Sequence, residues 1–210
     1  DRSRGLGDVY KRQVHTRCVY NFHTRCVYND VFSEPRTQGI LLVDASNAFN
    51  SLHRETALDT VAKKCPAFHQ YLSNTYQVPT HQYISGSSSG ECIMSEEGCT
   101  QGDNCAMAFY SISTSPIIEE LKETSKASQV WYADDSTGGG TLDELKDWWV
   151  HLCDIGPQYG YYPNPCKTVL IVKNQSDINL ALEIFGPLGV TVTCDLSLIH
   201  ISEPTRPIDI

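Results

Sequence analysis

Positive charge is scarce in this sequence. Sixteen Lys and Arg stand against 25 Asp and Glu in 210 residues, a formal net charge of −9. That balance argues against a surface that grips nucleic acid by charge alone. Long apolar runs are missing as well. None reaches the roughly 18 residues of a membrane helix, and no basic-then-apolar signal segment opens the chain. The nine cysteines, at 18, 26, 65, 92, 99, 105, 153, 166 and 194, are odd in number and include no C-x-x-C pair. A zinc site or disulfide framework is therefore disfavoured, and reduced thiols in an intracellular compartment, cytoplasm or nucleus, fit better than secretion. His53, His69, His81 and His151 have no metal-ligand spacing with one another and read as structural. What remains, 40% hydrophobic and 20% charged, is the composition of a folded globular chain.

The two ends differ in character from the middle. "DRSRGLGDVYKRQ" (1–13) and "LSLIHISEPTR" (196–206) resemble translated sequencing-adaptor reads, and setting them aside leaves a middle that is more acidic still. "VHTRCVYN" (14–21) is followed by "FHTRCVYN" (22–29), two copies too short and too few for a solenoid. The expected organisation is an adaptor-like end and short repeat over 1–30, one domain over 31–195, and an adaptor-like tail over 196–210.

Within the middle, "GILLVDA" (39–45) is an apolar run ending in an aspartate and reads as a buried strand. "RETALDTVAKKC" places Ala57, Leu58, Val61, Ala62 and Cys65 on one helical face, with Pro66 as its stop. "GSSSG" (86–90) reads as a loop between strand-like "HQYIS" and "ECIMSEEG". Asp103 is the expected N-cap of a helix bearing Ala106, Phe109, Tyr110 and Ile112, kinked at Pro116. "SQVWYA" and "DDSTG" follow as strand, tight turn and second strand. "TLDELKDWWVHLCDIG" opens with the capping box Thr141 and Glu144 and closes at Gly156-Pro157. "KTVLIVK", "INLALEIF" and "GVTVTC" complete the series as strand, helix and strand. The fold class expected is α+β, a mixed or antiparallel sheet with helices packed on one face, related to the split βαβ motif.

The chemistry concentrates in acidic residues at strand ends. Asp44 ends the first strand, and Asp134 and Asp135 occupy the turn of the hairpin. If those strands are neighbours, three carboxylates converge at one sheet edge, where they raise one another's pKa unless a cation lies between them. Taken alone, each aspartate reads equally as a solvated turn or strand-end residue.

Four segments, "DASNAFN" (44–50), "EGCTQGDN" (97–104), "YADD" (132–135) and "NPCKT" (164–168), stand in the order and approximate spacing of reverse transcriptases. The stretch from about Gly39 to Asp195 resembles the palm of an RNA-directed DNA polymerase from a retroelement, and "YADD" is its most specific motif. The resemblance implies nucleotidyl transfer from a dNTP to a DNA primer on an RNA template. It implies two Mg²⁺ ions, with Mn²⁺ able to substitute, held by Asp44 and Asp134 with Asp135 beside them and the Ala45 carbonyl as a further oxygen. Phe49 falls at the position of the ring that lies under the sugar and leaves no room for a 2′-hydroxyl; its alternative is a core aromatic. Gln101 and Gly102 match the pair that flanks nucleotide and template, Gly102 permitting close backbone approach. Lys167 matches a lysine near the phosphates that supplies a proton to pyrophosphate, or it is a surface lysine before a strand.

Two departures stand out. Asn104 occupies the place of the family's usual proline, and nothing resembling the fingers or thumb accompanies the palm, so basic grip on a duplex is expected from other lobes and activity of this fragment alone is in doubt. Competing expectations are an RNA-copying RNA polymerase, a small metal-dependent phosphohydrolase, and a catalytically inactive remnant or RNA-binding scaffold. The intact aspartates lean against decay of the site.

Overall fold

Apolar Gly39–Val43 forms β1, the middle strand of a five-stranded sheet, and all of it but the half-buried Leu42 is buried. The computed structural model describes residues 33–83, 92–100 and 102–195. After β1 come α1 (Ala48–Ser51), α2 (Arg54–Lys64), α3 (Pro66–Tyr76), β2 (Thr80–Tyr83), β3 (Cys92–Ser95) and α4 (Ala106–Thr124). β4 (Ser128–Tyr132), β5 (Asp135–Gly140), α5 (Leu142–Ile155), β6 (Val169–Val172), α6 (Ile178–Phe185) and β7 (Thr191–Thr193) follow.

The sheet runs β4-β5-β1-β6-β7, antiparallel except for the last, parallel pair. β2 and β3 form a separate antiparallel pair. The fold is thus the expected α+β arrangement, a mostly antiparallel sheet with helices. Leu41 and Val43 belong to the large core built with the helices, whereas Ile40 packs with Leu42 and Val130 in a small cluster of its own. That alternation is the period-two signature of a strand. The core is filled by Trp148, Trp149, Leu145 and Leu152 of α5, Phe109 and Tyr110 of α4, and Phe185 of α6.

Local chemistry explains most element ends. The expected capping box is present: Thr141 Oγ1 accepts from Glu144 N (3.3 Å) and Glu144 Oε2 accepts from Thr141 N (3.0 Å). Pro116 sits inside α4 without ending it. A proline there leaves the Ile112 carbonyl without its helical donor, and Ser115 Oγ donates to that carbonyl at 2.7 Å.

Three local expectations are corrected. Pro66 does not only stop α2; it opens α3 at the first helical position, where the missing N–H is not needed. Asp103 does not cap α4, which starts three residues later; its carboxylate instead accepts from Cys105 N (2.8 Å) and from the Tyr76 hydroxyl. The hairpin turn is Ala133-Asp134, and Asp135 already belongs to β5. Gly138 lies in β5 where α5 packs closely: a Cβ there would lie 3.0 Å from the Trp148 ring. The expected loop at 86–90 lies outside the described residues. Among the described residues no helix is long and apolar enough to cross a membrane.

Candidate active site

Asp44 follows directly on β1. Asn164 N donates to its carbonyl (2.8 Å) and Ser46 N donates to Tyr162 O (2.8 Å), a main-chain bridge around Ala45 and Pro163. The Ala45 carbonyl takes no part in that bridge. Strand register carries the argument across the sheet. Val43 pairs with Ser136, and Asp135 pairs with Tyr132. Asp44 therefore stands one residue past the last β1–β5 pair, beside the β4–β5 tip that carries Asp134 and Asp135.

The tip is strained. Ala133 adopts φ 54, a left-handed conformation that costs an L-residue with a Cβ roughly 1–2 kcal/mol. Such strain gathers at functional sites, and here it sets where Asp134 leaves the turn. Tyr161, buried at the centre of the core, donates from its hydroxyl to the Asp134 carbonyl (2.9 Å) and lies 3.1 Å from Ser136 Oγ. Burial pushes the Asp134 carboxyl up from the usual range; its own backbone hydrogen bond opposes the shift and the charge of Asp44 adds to it. The two carboxylates are close enough to feel each other.

Lys167 reaches the same place by a different route. Asn164 Oδ1 accepts from Cys166 N (3.2 Å) and starts a 3₁₀ turn, Pro165–Lys167. That turn brings Lys167 Nζ to 3.2 Å from Asp44 Oδ2. The contact is an ion pair without hydrogen-bond direction, so Oδ2, itself shielded from solvent, has no hydrogen bond. Of the two sequence readings of Lys167, the surface one holds in part, since its side chain is 66% exposed, but it is aimed at the acidic edge.

Phe49, on α1, stacks on Tyr110 of α4 with ring centroids 4.6 Å apart and planes 20° off parallel. Such pairs contribute about 0.5–1.5 kcal/mol beyond area burial. Tyr110 is buried and its hydroxyl has no hydrogen-bond partner. Burial foremost, then Tyr161 and the charges of Asp134 and Asp135, hold that phenol above its ordinary pKa. Gly102 adopts φ +95 with nothing within 4 Å of where a Cβ would sit, so the backbone there is open. It lies on the loop anchored through Asp103 to Tyr76 of α3. Gln101 lies outside the described residues.

The structure thus gathers Asp44, Ala45, Asp134, Asp135 and Lys167 at one sheet edge and sets Phe49 beside it, with Gly102 on a separate loop. Among the described residues no group of three or more His, Cys, Asp or Glu side chains stands in a metal-holding arrangement. Tyr161 and Tyr110 are both central to this geometry, yet the sequence put Tyr110 only on the apolar face of a helix and singled out Tyr161 not at all. Nothing but their aromatic type marked them, and aromatics at such positions read as ordinary core.

No protein-family model matches the chain, and no curated protein matches it in sequence. Solved structures do. Apo telomerase from Candida tropicalis superposes with a TM-score of 0.53 at 12% identity, over 77% of this chain and 32% of that one. Telomerase from Candida tropicalis in complex with the TWJ fragment of telomeric RNA gives a TM-score of 0.53 at 16% identity, over 74% of this chain and 29% of that one. The chain therefore spans about a third of the telomerase chains it resembles. At these identities the likeness is one of fold alone: a mixed α/β fold similar to that of telomerase reverse transcriptase.

Proposed function

We propose that this chain is the palm portion of an RNA-directed DNA polymerase of a retroelement. It would act by nucleotidyl transfer: a primer 3′-hydroxyl attacks the α-phosphorus of a dNTP, a new P–O bond forms, and pyrophosphate leaves. The observation that supports this most is the register that sets Asp44 beside the Asp134–Asp135 tip, close enough for the charge of Asp44 to raise the Asp134 carboxyl. The donors are all oxygens and Asp44 Oδ2 is shielded without a hydrogen bond, which fits a hard divalent cation such as Mg²⁺. Asp44 and Asp134 would hold it, with Asp135 and the Ala45 carbonyl beside them; once bound, it supplies charge neutralisation at the phosphates and a more acidic primer hydroxyl.

The chain's own residues have separable tasks in this reading. Phe49, backed by Tyr110, presents a ring that cannot yield to a 2′-hydroxyl, so deoxynucleotides are preferred. Lys167 is held at the edge by a solvent-exposed ion pair, a class of contact that contributes about 0–1 kcal/mol. It can exchange Asp44 for the departing pyrophosphate and deliver a proton from Nζ. Gly102 lets the backbone approach the nucleotide closely. RNA template, DNA primer and dNTP are the partners this implies. An intracellular setting agrees with the seven described cysteines, all of which are free.

Primer extension on an RNA template decides the matter. Wild type should extend with dNTPs in Mg²⁺ or Mn²⁺, and Asp44→Asn should abolish extension while leaving the fold intact by circular dichroism. A folded wild type that binds template–primer but never extends it supports the inactive remnant or scaffold instead.

A further inference from the structure

Arg54, at the start of α2, is a buried cation. It is 6% exposed, and its guanidinium is spent on uncharged acceptors. Nε donates to Gly98 O at 2.7 Å, Nη1 to Ser95 O at 2.7 Å and Nη2 to Ser95 Oγ at 2.8 Å. Its face lies 5.5 Å from the centroid of the Tyr76 ring. Its backbone N–H donates to Glu97 Oε2 at 2.7 Å. Burying a guanidinium against neutral groups is a poor way to gain stability. It is a good way to fix two stretches of backbone, because the planar fork dictates direction as well as distance.

The stretch it fixes is wired to the nucleotide side of the site. Gly98 N donates to Leu52 O (2.8 Å) and Cys99 N donates to Phe49 O (2.7 Å). Gly98 has φ +77, and a Cβ there would lie 2.5 Å from the backbone of Asn50, so the two segments touch main chain to main chain. Phe49 is thus held by its ring on Tyr110 and by its carbonyl on the segment that Arg54 clamps. Tyr76, under the guanidinium, also donates its hydroxyl to Asp103, just past Gly102.

We propose that Arg54 is a positioning residue: by clamping Ser95–Cys99 against the Phe49–Leu52 turn it sets where the Phe49 ring stands, and with it the discrimination between deoxy- and ribonucleotides. The selectivity half of this rests on the polymerase reading above; the clamp itself does not.

Arg54→Lys and Arg54→Met in the full chain test both halves. Cys99, 2% exposed with its thiol pushed up to about 12 by burial, reports opening of the clamped segment. Cys153, on α5, is the control for global unfolding. With iodoacetamide and site-resolved mass spectrometry, Cys99 alkylation should accelerate about tenfold in either variant while Cys153 is unchanged. Primer extension by Arg54→Lys should show a raised KM for dNTP and a deoxy-to-ribo preference lowered about tenfold, the scale that small misplacements reach. The clamp is overturned if Cys99 stays protected in both folded variants, or if Cys99 and Cys153 accelerate together. The selectivity role is overturned if Cys99 opens and the preference does not move. A wild type that extends no primer refutes the polymerase reading and the selectivity role with it, and the thiol rates still judge the clamp.

Discussion

Replacing Gly160 by alanine puts a methyl carbon where backbone already stands. Gly160 closes the 3₁₀ turn Gly156–Tyr159 at φ +79, and a Cβ there would meet Ser51 O at 2.0 Å, His53 N at 2.7 Å and Leu52 Cα at 2.8 Å. None of these is a side-chain tip that can swing away. The contact is also bonded: Ser51 Oγ donates to Gly160 O (2.9 Å) and His53 N donates to Tyr159 O (3.2 Å). The left-handed conformation costs alanine about 1–2 kcal/mol, and overpacking adds about 1–3 kcal/mol. The sum, roughly 2–5 kcal/mol, is a large share of the about 5–15 kcal/mol of a typical domain. At about 2–4 °C per kcal/mol for a chain of this size, Tm should fall by roughly 4–20 °C. Two further glycines separate the terms. Gly189, at φ +75 with only Pro165 Cβ at 3.3 Å, carries mainly the conformational cost. Gly186 has helical φ −55 and open space around it, so alanine there should stabilise by about 0.4–1 kcal/mol. Urea denaturation of the three variants should rank Gly186→Ala above wild type, then Gly189→Ala, then Gly160→Ala. A Gly160→Ala variant no less stable than Gly189→Ala refutes the clash argument. The next residue, Tyr161, buttresses Asp134, so primer extension by Gly160→Ala should fall further than its folded fraction at the assay temperature.

Asp134→Asn should stabilise the metal-free fold at neutral pH while abolishing extension. Because burial raises this carboxyl in the folded state, the fold binds its proton more tightly than the unfolded chain does. Its stabilising contribution is complete below the unfolded value of about 4 and is lost as pH rises through the folded value. The advantage of Asn over Asp, measured by thermal unfolding in EDTA, should therefore be absent in acid and grow towards neutrality; an advantage that shrinks as pH rises refutes it. Adding Mg²⁺ should raise the wild-type Tm and leave Asp134→Asn unmoved. Phe49→Ala should raise ribonucleotide incorporation by an order of magnitude or more in the polymerase assay, whereas a core-only role predicts loss of stability without a change of preference. Thr141→Ala should cost about 1 kcal/mol by removing one arm of the capping box, read as a shift of the urea midpoint.

How much of this was legible beforehand depends on the range of the interaction. The capping box at Thr141 and Glu144, the strand at 39–43 and the helices at 54–64 and 178–185 are encoded by residues within one or two turns of each other, and a linear pattern reveals them. Gly138 is different: nothing near it in the chain says why a glycine stands in that strand, because the reason is the Trp148 ring on another element. Likewise Asp103 has the chemistry of a cap, but Tyr76, 27 residues away, claims its carboxylate.

The sequence by itself determined the local alphabet: the acidic residues at strand ends, the helix start at Thr141, the apolar run that makes β1 a buried strand, and the motif order that names candidates. Only the tertiary structure decided who stands beside whom. Lys167 meets Asp44 across more than a hundred residues, Phe49 rests on Tyr110, and Arg54 holds a segment 41 to 44 residues downstream. These contacts depend on how two strands register and how a sheet packs its helices, and that is settled by the simultaneous filling of one core rather than by any neighbouring pair of residues.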